Sequence, residues 1–387
     1  MHNNVTQMNV EIGFDKFPFW NGTQNKHVDP IFLPFKVGFN HDGVITQTTP
    51  SHITDYVVNA YSNEYDFITA PPGCSSWSNG FGDKAIEFVV KHFGSLKGKR
   101  VLDIGGGSTY IGQILTTKYG VSEYTIIDPA ISETTDNVAI EIIRDYFSPS
   151  TCPAKMFDLV LSFRCLEHVT DPSSFLSMIR SIIISSNGTA FLLFPETETQ
   201  LKNGDMNVFL HEHLSYFTKS TFGKLAAGCG LELHKSHIQD DTLYCMLKPC
   251  KASTSAHSCD SELLIECAVQ IQKNIKYFND LIEPSLNNGQ VIAFHGICNG
   301  LHNMLALSDF SSSDLDNVRL FDSDESKAGK FISMLNMPIA NSLSKDYRKI
   351  DRVIVSAMTY YDQIKEFLSS FHGINPDNIY PMYRLSK

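Results

Sequence analysis

The chain has 387 residues, 42% of them apolar and 19% charged, ordinary globular usage that leaves no case for wholesale disorder and has room for two or three domains. Acidic residues outnumber basic ones by 42 to 31, a formal charge of −11, which is the wrong sign for a protein that holds nucleic acid through its overall field. No apolar run approaches the ~18–20 residues of a membrane span, and the start, Met1-His2-Asn3-Asn4-Val5, lacks the basic end and apolar stretch of a secretory signal. Nine cysteines, an odd number with no C-x-x-C pair among them, read as reduced thiols, so the expected address is the cytoplasm.

In chain order, residues 1–60 read as short extended pieces: Phe17-Pro18-Phe19, Pro30 to Pro34, Lys36 to Phe39 and Gly43 to Thr46, with Asn40-His41-Asp42-Gly43 as a hairpin turn. A loop rich in proline and glycine follows at Ala70 to Ser76, then a helix from Gly82 to Phe93, where Ala85, Ile86, Val89, Val90 and Phe93 recur at helical spacing. A β/α rhythm begins at Arg100. Strands are expected at Arg100–Ile104, Tyr124–Asp128, Phe157–Ser162 and Ala190–Phe194, with helices at Tyr110–Tyr119 and Ser173–Ile184. Such alternation favours a parallel sheet with helices on both faces. After a linker-like stretch at Cys250–Ser258 comes an amphipathic helix, Ser261–Leu286. A second β/α series then places strands at Val291–Phe294, Val318–Phe321, Arg352–Val355 and Asn378–Tyr380. The expected architecture is α/β: an N-terminal cap (1–70), a doubly wound Rossmann-like domain (71–250), a linker and connector helix (251–286), and a smaller α/β domain (287–387).

The sharpest motif is Val101-Leu102-Asp103-Ile104-Gly105-Gly106-Gly107-Ser108-Thr109. A strand ends in a carboxylate and runs into a turn without side chains, so backbone N–H groups can approach a ligand closely. The second strand ends at Asp128, where a carboxylate can accept both hydroxyls of a ribose. A dinucleotide site would need glycine where Tyr110 stands. The segment resembles instead the first motif of the class I S-adenosylmethionine methyltransferases, with Thr109 in the place of the third glycine. Later positions extend the resemblance: Arg144-Asp145-Tyr146-Phe147 where the family has the residues after its third strand, Phe157-Asp158-Leu159-Val160-Leu161-Ser162-Phe163-Arg164 where it has its fourth strand, then Cys165-Leu166-Glu167-His168-Val169-Thr170-Asp171-Pro172. The resemblance implies S-adenosylmethionine as donor and S-adenosylhomocysteine as product. It implies a cofactor set of Asp103, Gly105, Gly106, Gly107, Asp128, Asp145, Tyr146, Ser162 and Phe163.

A narrower resemblance lies downstream. Phe209-Leu210-His211-Glu212-His213-Leu214-Ser215-Tyr216-Phe217-Thr218 resembles a segment of the nucleotide-sugar C-methyltransferases, which methylate the carbon beside a keto group in a deoxysugar carried on a nucleoside diphosphate. Their C-terminal pattern is matched by Phe294-His295-Gly296-Ile297-Cys298-Asn299-Gly300, Asp322, Lys327-Ala328-Gly329-Lys330 and Met337-Pro338-Ile339. The cysteine pairs that hold zinc in that family's N-terminal domain are missing: Gly38-Phe39-Asn40-His41-Asp42 stands where the second pair would be, no cysteine precedes Cys74, and no metal is expected. Asn299 stands where the family usually has lysine, and Leu210 replaces a tyrosine.

Carbon methylation beside a carbonyl needs a base, a group to stabilise the enolate oxygen, and a carbon aimed at the sulfonium methyl. Histidine suits the base because its ordinary pKa lies near the working pH. We assign His213 as base, with Glu212 orienting it or contacting substrate; the resemblance adds His168 and an N-terminal tyrosine, Tyr65 or else Tyr61, beside the keto oxygen, and loops at the carboxyl ends of parallel strands offer His295, Asn299 and Lys327 to the acceptor. His211-Glu212-His213 is not a helical metal pair, since positions i and i+2 do not share a face. The function expected is methyl transfer to a small polar acceptor, first a keto-deoxysugar nucleotide at carbon, with transfer to the oxygen of a sugar or other metabolite, or a non-catalytic binding module, as the alternatives. The partners expected are small molecules rather than nucleic acid or membrane, in a monomer or homodimer.

Overall fold

The computed structural model describes residues 10–50, 52–53, 55–57, 71–253, 261–310, 312–343 and 346–384. At the N-terminus, β1 (Ile12–Pro18), β2 (Phe32–Phe39) and β3 (Ile45–Gln47) form an antiparallel meander. The extended pieces expected on either side of Pro34 are a single strand. Proline cannot donate to a ladder, and the β1–β2 register shifts between Phe14 and Phe17, opposite Pro34, so the missing donor falls at an irregularity. The turn into β3 is held by Asn40, whose side-chain oxygen accepts from the N–H groups of Asp42 and Val44.

The central domain opens with α1 (Ser76–Phe93), which starts earlier than its apolar periodicity because Ser75 and Ser78 exchange capping hydrogen bonds. It continues through β4 (Arg100–Ile104), α2 (Tyr110–Thr117), β5 (Glu123–Ile127), β6 (Ile140–Ile143), β7 (Leu159–Phe163), α3 (Pro172–Ser186) and β8 (Thr189–Pro195). After α4 (Glu198–Asn203), β9 (Ser215–Tyr216) and α5 (Lys219–Gly228), the hairpin β10 (Leu231–Gln239) and β11 (Thr242–Pro249) completes it. The seven-stranded sheet has the order β10-β11-β8-β7-β4-β5-β6, with β11 antiparallel to both neighbours and every other pairing parallel. Strands buried on both faces read as continuous apolar runs, as in Ala190-Phe191-Leu192-Leu193-Phe194. The order reverses between β4 and β7, so the loops leaving their carboxyl ends border the crevice where such sheets bind ligands.

The connector α6 (Ser261–Asn287) leads to β12 (Ile292–His295), α7 (Asn299–Leu307), β13 (Val318–Asp322), β14 (Ala340–Asn341), β15 (Arg352–Val355), α8 (Tyr361–Phe371) and β16 (Ile379–Pro381). These strands form a parallel sheet of order β14-β13-β12-β15-β16. The expected doubly wound domain and second α/β domain are therefore both present. The cap does not stand alone: β3 pairs with β9 of the central domain. One apolar core runs through Phe17 and Phe35 of the cap, Phe209 and Tyr216, Phe278 of α6 and Phe294 of β12. Each such ring contributes about 1.5–3 kcal/mol by leaving water, so cap and C-terminal domain are fastened to each other through the segment around Phe209. Among the described residues no helix is long and apolar enough to cross a membrane.

Candidate active site

β4 carries Asp103 to the carboxyl edge of the sheet with its side chain buried, and the turn beyond it has room only for glycine. Gly105 adopts φ +73°, and a Cβ there would lie 2.8 Å from the Cys165 sulfur; at Gly106 it would lie 2.6 Å from the Asp103 carboxylate. The Gly107 N–H donates to Asp128 Oδ2 at 2.9 Å, and the Ala130 N–H donates to Oδ1 at 2.8 Å. Asp103 accepts from the Tyr124 hydroxyl at 2.6 Å through Oδ2, while its Oδ1 is buried with no partner. Burial pushes the Asp103 carboxyl up to about 7, with Tyr124 opposing the rise and the charge of Asp128 adding to it.

Thr109 replaces the third glycine because it has another task. Its N–H and its hydroxyl both donate to Glu133 Oε2 at 2.8 Å, which pins the loop after β5 to the start of α2. Nothing in the spacing of the sequence marks Glu133. Asp145 and Tyr146 follow β6 on the same edge of the sheet, both exposed, and the Tyr146 N–H donates to Asp145 Oδ1 at 2.7 Å. Ser162 and Phe163 close β7 and are buried.

Beyond β7 the chain turns at Arg164, φ +55°, and enters a single 3-10 turn, Leu166–His168. Three polar side chains meet here. His168 Nδ1 donates to the Glu212 carbonyl at 2.9 Å, and its ring stands edge-on to that of His213 with centroids 5.1 Å apart. Glu167, His168 and His213 bring one carboxylate oxygen and two ring nitrogens within 4.8 Å of one another. The Glu167 carboxyl is raised, chiefly by burial, and its Oε2 has no partner. His213 is held well below the ordinary imidazole value by burial first, then by the charges of His168 and Arg164. Its imidazole is thus neutral at pH 7, as a base requires. Glu212 Oε1 lies 4.0 Å from His213 Nε2, too far for a hydrogen bond and an ion pair only once the imidazole is protonated. An ion held by the three would occupy the lone pair that a base needs, so the two roles exclude each other. His211 turns the other way, among Phe17, Phe19 and Phe35 of the cap, where burial lowers it to about 4. Tyr65 lies outside the described residues.

The segment that carries His213 is gripped from three directions. Gln47 Nε2 donates to the carbonyls of Leu210, His211 and His213 at 3.0, 2.8 and 2.7 Å. The Asn274 amide on α6 donates to the carbonyls of Asn203 and Gly204. On α7, Asn299 donates to the carbonyls of Asn207 and Phe209, and Asn303 to those of Met206 and Phe209. The first amides of α7, which in a ligand-binding sheet of this type face the crevice, meet protein instead: Gly300 N–H donates to Asn207 Oδ1 at 3.1 Å. His295 is buried with Nδ1 2.6 Å from the Tyr347 hydroxyl, and Lys327 donates to Asp322 and the Ile297 carbonyl, both at 2.9 Å. None of these three residues is brought to His213. Sequence reading assigned no role to Gln47, Arg164, Glu133 or Asn303; Arg164 carried a signal, as the last residue of the resembling segment Phe157 to Arg164.

A sheet of this order with a glycine turn after β4 and an acid ending β5 defines a Rossmann-like methyltransferase fold. Residues 81–236 match the methyltransferase domain family, a span that contains both His168 and His213. The chain thus carries a methyltransferase domain of the kind whose donor is S-adenosylmethionine. Over 145 residues it is 30% identical to a tRNA U34 carboxymethyltransferase of Psychrobacter arcticus, covering 33% of this chain and 39% of that protein. A protein of the same description from Psychrobacter cryohalolentis is 30% identical over 149 residues. The chain spans about 39% of the length of these curated relatives. Among solved structures, the 1,6-didemethyltoxoflavin-N1-methyltransferase of Burkholderia thailandensis is 14% identical, with TM-score 0.39 over 56% of this chain and 96% of that one. The magnesium protoporphyrin IX methyltransferase of Synechocystis is 13% identical, with TM-score 0.38 over 50% and 99%.

Proposed function

We propose that the protein transfers a methyl group from S-adenosylmethionine to carbon in a small polar acceptor, most simply the carbon beside the keto group of a deoxysugar carried on a nucleoside diphosphate. The observation that carries this reading is the meeting of His168 and His213, 45 positions apart in sequence, with ring centroids 5.1 Å apart, just after Cys165, which packs against Gly105 of the glycine turn. The donor fits the residues present. Gly105, Gly106 and Gly107 form a turn packed too tightly for any side chain, Asp128 offers a carboxylate for ribose hydroxyls, and the unpartnered Asp103 Oδ1 suits the donor's ammonium group. Asp145 and Tyr146 would border the adenine, and Ser162 and Phe163 the methionine end.

The bound donor supplies an electrophilic methyl on a positively charged sulfur. His213, neutral because it is buried, takes the proton from the acceptor carbon and holds it on its imidazole. The electron pair left behind shifts onto the keto oxygen, with His168 beside it, and returns through carbon as the new carbon–carbon bond forms. The donor would take up the electron pair of its broken carbon–sulfur bond on sulfur and so become S-adenosylhomocysteine. Glu212, 4.0 Å from His213, favours the transient imidazolium. In the C-terminal domain we assign Lys327, with His295 and Asn299, to the acceptor's diphosphate end, Lys327 as a point charge.

The test is incubation with 4-keto sugar nucleotides in deuterated buffer. A carbon enzyme exchanges the proton beside the carbonyl, and His213→Asn lowers turnover by about 10²–10⁴ with S-adenosylhomocysteine binding retained. Transfer without exchange would move the acceptor atom to oxygen, and cofactor binding without any transfer would leave a binding module. A second reading, transfer to RNA, is favoured by the 30% identity to proteins described as acting on tRNA, while a net charge of −11 weighs against it. Labelled donor incubated with total tRNA decides that point.

A further inference from the structure

Arg164 is the anomaly of the crevice. Four non-glycine residues among those described have a left-handed backbone, and the other three are Asn187, Asp240 and Asp241, side-chain types that adopt it readily. A long side chain there is under strain, and the strain sits where the chain leaves β7, at the reversal of the sheet. The Arg164 N–H donates to the Leu193 carbonyl at 2.7 Å, which holds the turn. The guanidinium is fixed as well: Nη2 donates to Thr242 Oγ1 at 3.0 Å, and the group lies over the Phe81 ring, 5.0 Å from its centroid. Its Nε, however, is buried and has no acceptor. A buried N–H donor without a partner is costly unless something else supplies the oxygen. The same charge bears on Glu167 and His213, which places it within electrostatic reach of the proposed base.

We propose that Arg164 is an oxyanion receptor for the acceptor: its Nε–H and the charge behind it hold a carboxylate or phosphate oxygen of the molecule to be methylated, beside His213. Three features support a binding role over a purely structural one. Thr242 and Phe81 already immobilise the group, the left-handed backbone is retained at a residue type that rarely adopts it, and the buried Nε–H finds no acceptor within the protein. A guanidinium presents donors in a fixed plane that matches such oxygens, which lysine would not. The inference rests on the methyl-transfer reading of the crevice but not on the acceptor being a sugar.

The experiment uses the full chain loaded with S-adenosylhomocysteine and titrated separately with sodium acetate and with inorganic phosphate. Heat and the arginine Nε–H signals in 1H–15N spectra are followed at constant ionic strength. One Nε–H signal, identified by its absence in Arg164→Lys, should shift saturably with at least one of the two anions, and which anion it is tells carboxylate from phosphate. Arg164→Gln should weaken that binding at least tenfold. Arg164→Asn, which the left-handed backbone tolerates, should do the same while keeping S-adenosylhomocysteine affinity and the unfolding midpoint. No saturable shift of that signal, or equal anion binding in wild type and Arg164→Asn, overturns the proposal. Failure of the wild-type chain to bind S-adenosylhomocysteine would sink the methyl-transfer reading itself, and this inference with it.

Discussion

Replacing Gln47 by alanine tests whether the cap positions the proposed base. One side-chain amide serves three carbonyls, at 3.0, 2.8 and 2.7 Å. Leu210 keeps a hydroxyl donor from Tyr216 at 3.3 Å and the N–H of His213 at 3.1 Å, so it loses little. The carbonyls of His211 and His213 lose the donor that holds them. An unsatisfied buried carbonyl costs roughly 1–3 kcal/mol; because these bonds are only partly buried, the lower end applies to both, and Gln47→Ala should destabilise the chain by about 2–3 kcal/mol. The functional loss should be larger than the stability loss implies. Misplacing a catalytic group by an ångström can cost about 10²-fold, and the turn carrying His213 is what the amide holds. Urea unfolding gives the first number, and turnover with a keto sugar nucleotide the second. Gln47→Glu sharpens the test: the same shape with no donor sets a carboxylate against the same carbonyls and should do at least as much harm as alanine. Wild-type unfolding and turnover in Gln47→Ala would refute the reasoning.

Asp103 gives a pH dependence with a definite sign. Its carboxyl sits at about 7 in the free protein and faces the cofactor's positive end in our reading, so binding should favour the ionised form and release a proton. Affinity for S-adenosylhomocysteine should therefore rise with pH up to about 7 and then level off, with proton release near pH 6–7 measurable by calorimetry in buffers of different ionisation heat; Asp103→Asn should abolish the release. His213 should act as base without metal, so chelators should leave turnover unchanged. Added zinc, taken up by Glu167, His168 and His213, should inhibit, and this is read as recovery of rate on adding the chelator. Asn303 is fully buried and its amide donates to two carbonyls, so Asn303→Ala should lower stability by about 1–3 kcal/mol, seen in urea, and reduce turnover while sparing cofactor affinity.

The glycine turn at Gly105–Gly107 and the strands around it were legible because both are local: a buried strand is a run of apolar residues, and a turn that allows no Cβ must be glycine. The same holds for α3, whose start at Pro172 after Asp171 follows from capping chemistry alone. Asn299 shows where local reading stops. Its place at the start of a helix after a parallel strand is the place of a ligand-binding residue, yet its amide is spent on Asn207 and Phe209, 92 and 90 positions earlier in the chain. No local pattern encodes that pairing. Arg164 was quoted in the sequence only as the residue after a strand, since a left-handed backbone at arginine leaves no trace in composition. Gln47 likewise gains its meaning only when β3 is laid against β9.

The Tyr383 hydroxyl donates to the buried Asp205 carboxylate at 2.8 Å, at the root of the segment that ends in His213. On a ribosome, the Rossmann-like sheet could form long before that tyrosine emerges. The crevice would then bind its nucleoside ligand while the base still lacked its final support. Support for the base therefore waits on a residue 170 positions further along the chain, and a chain cut before Tyr383 would be folded but idle.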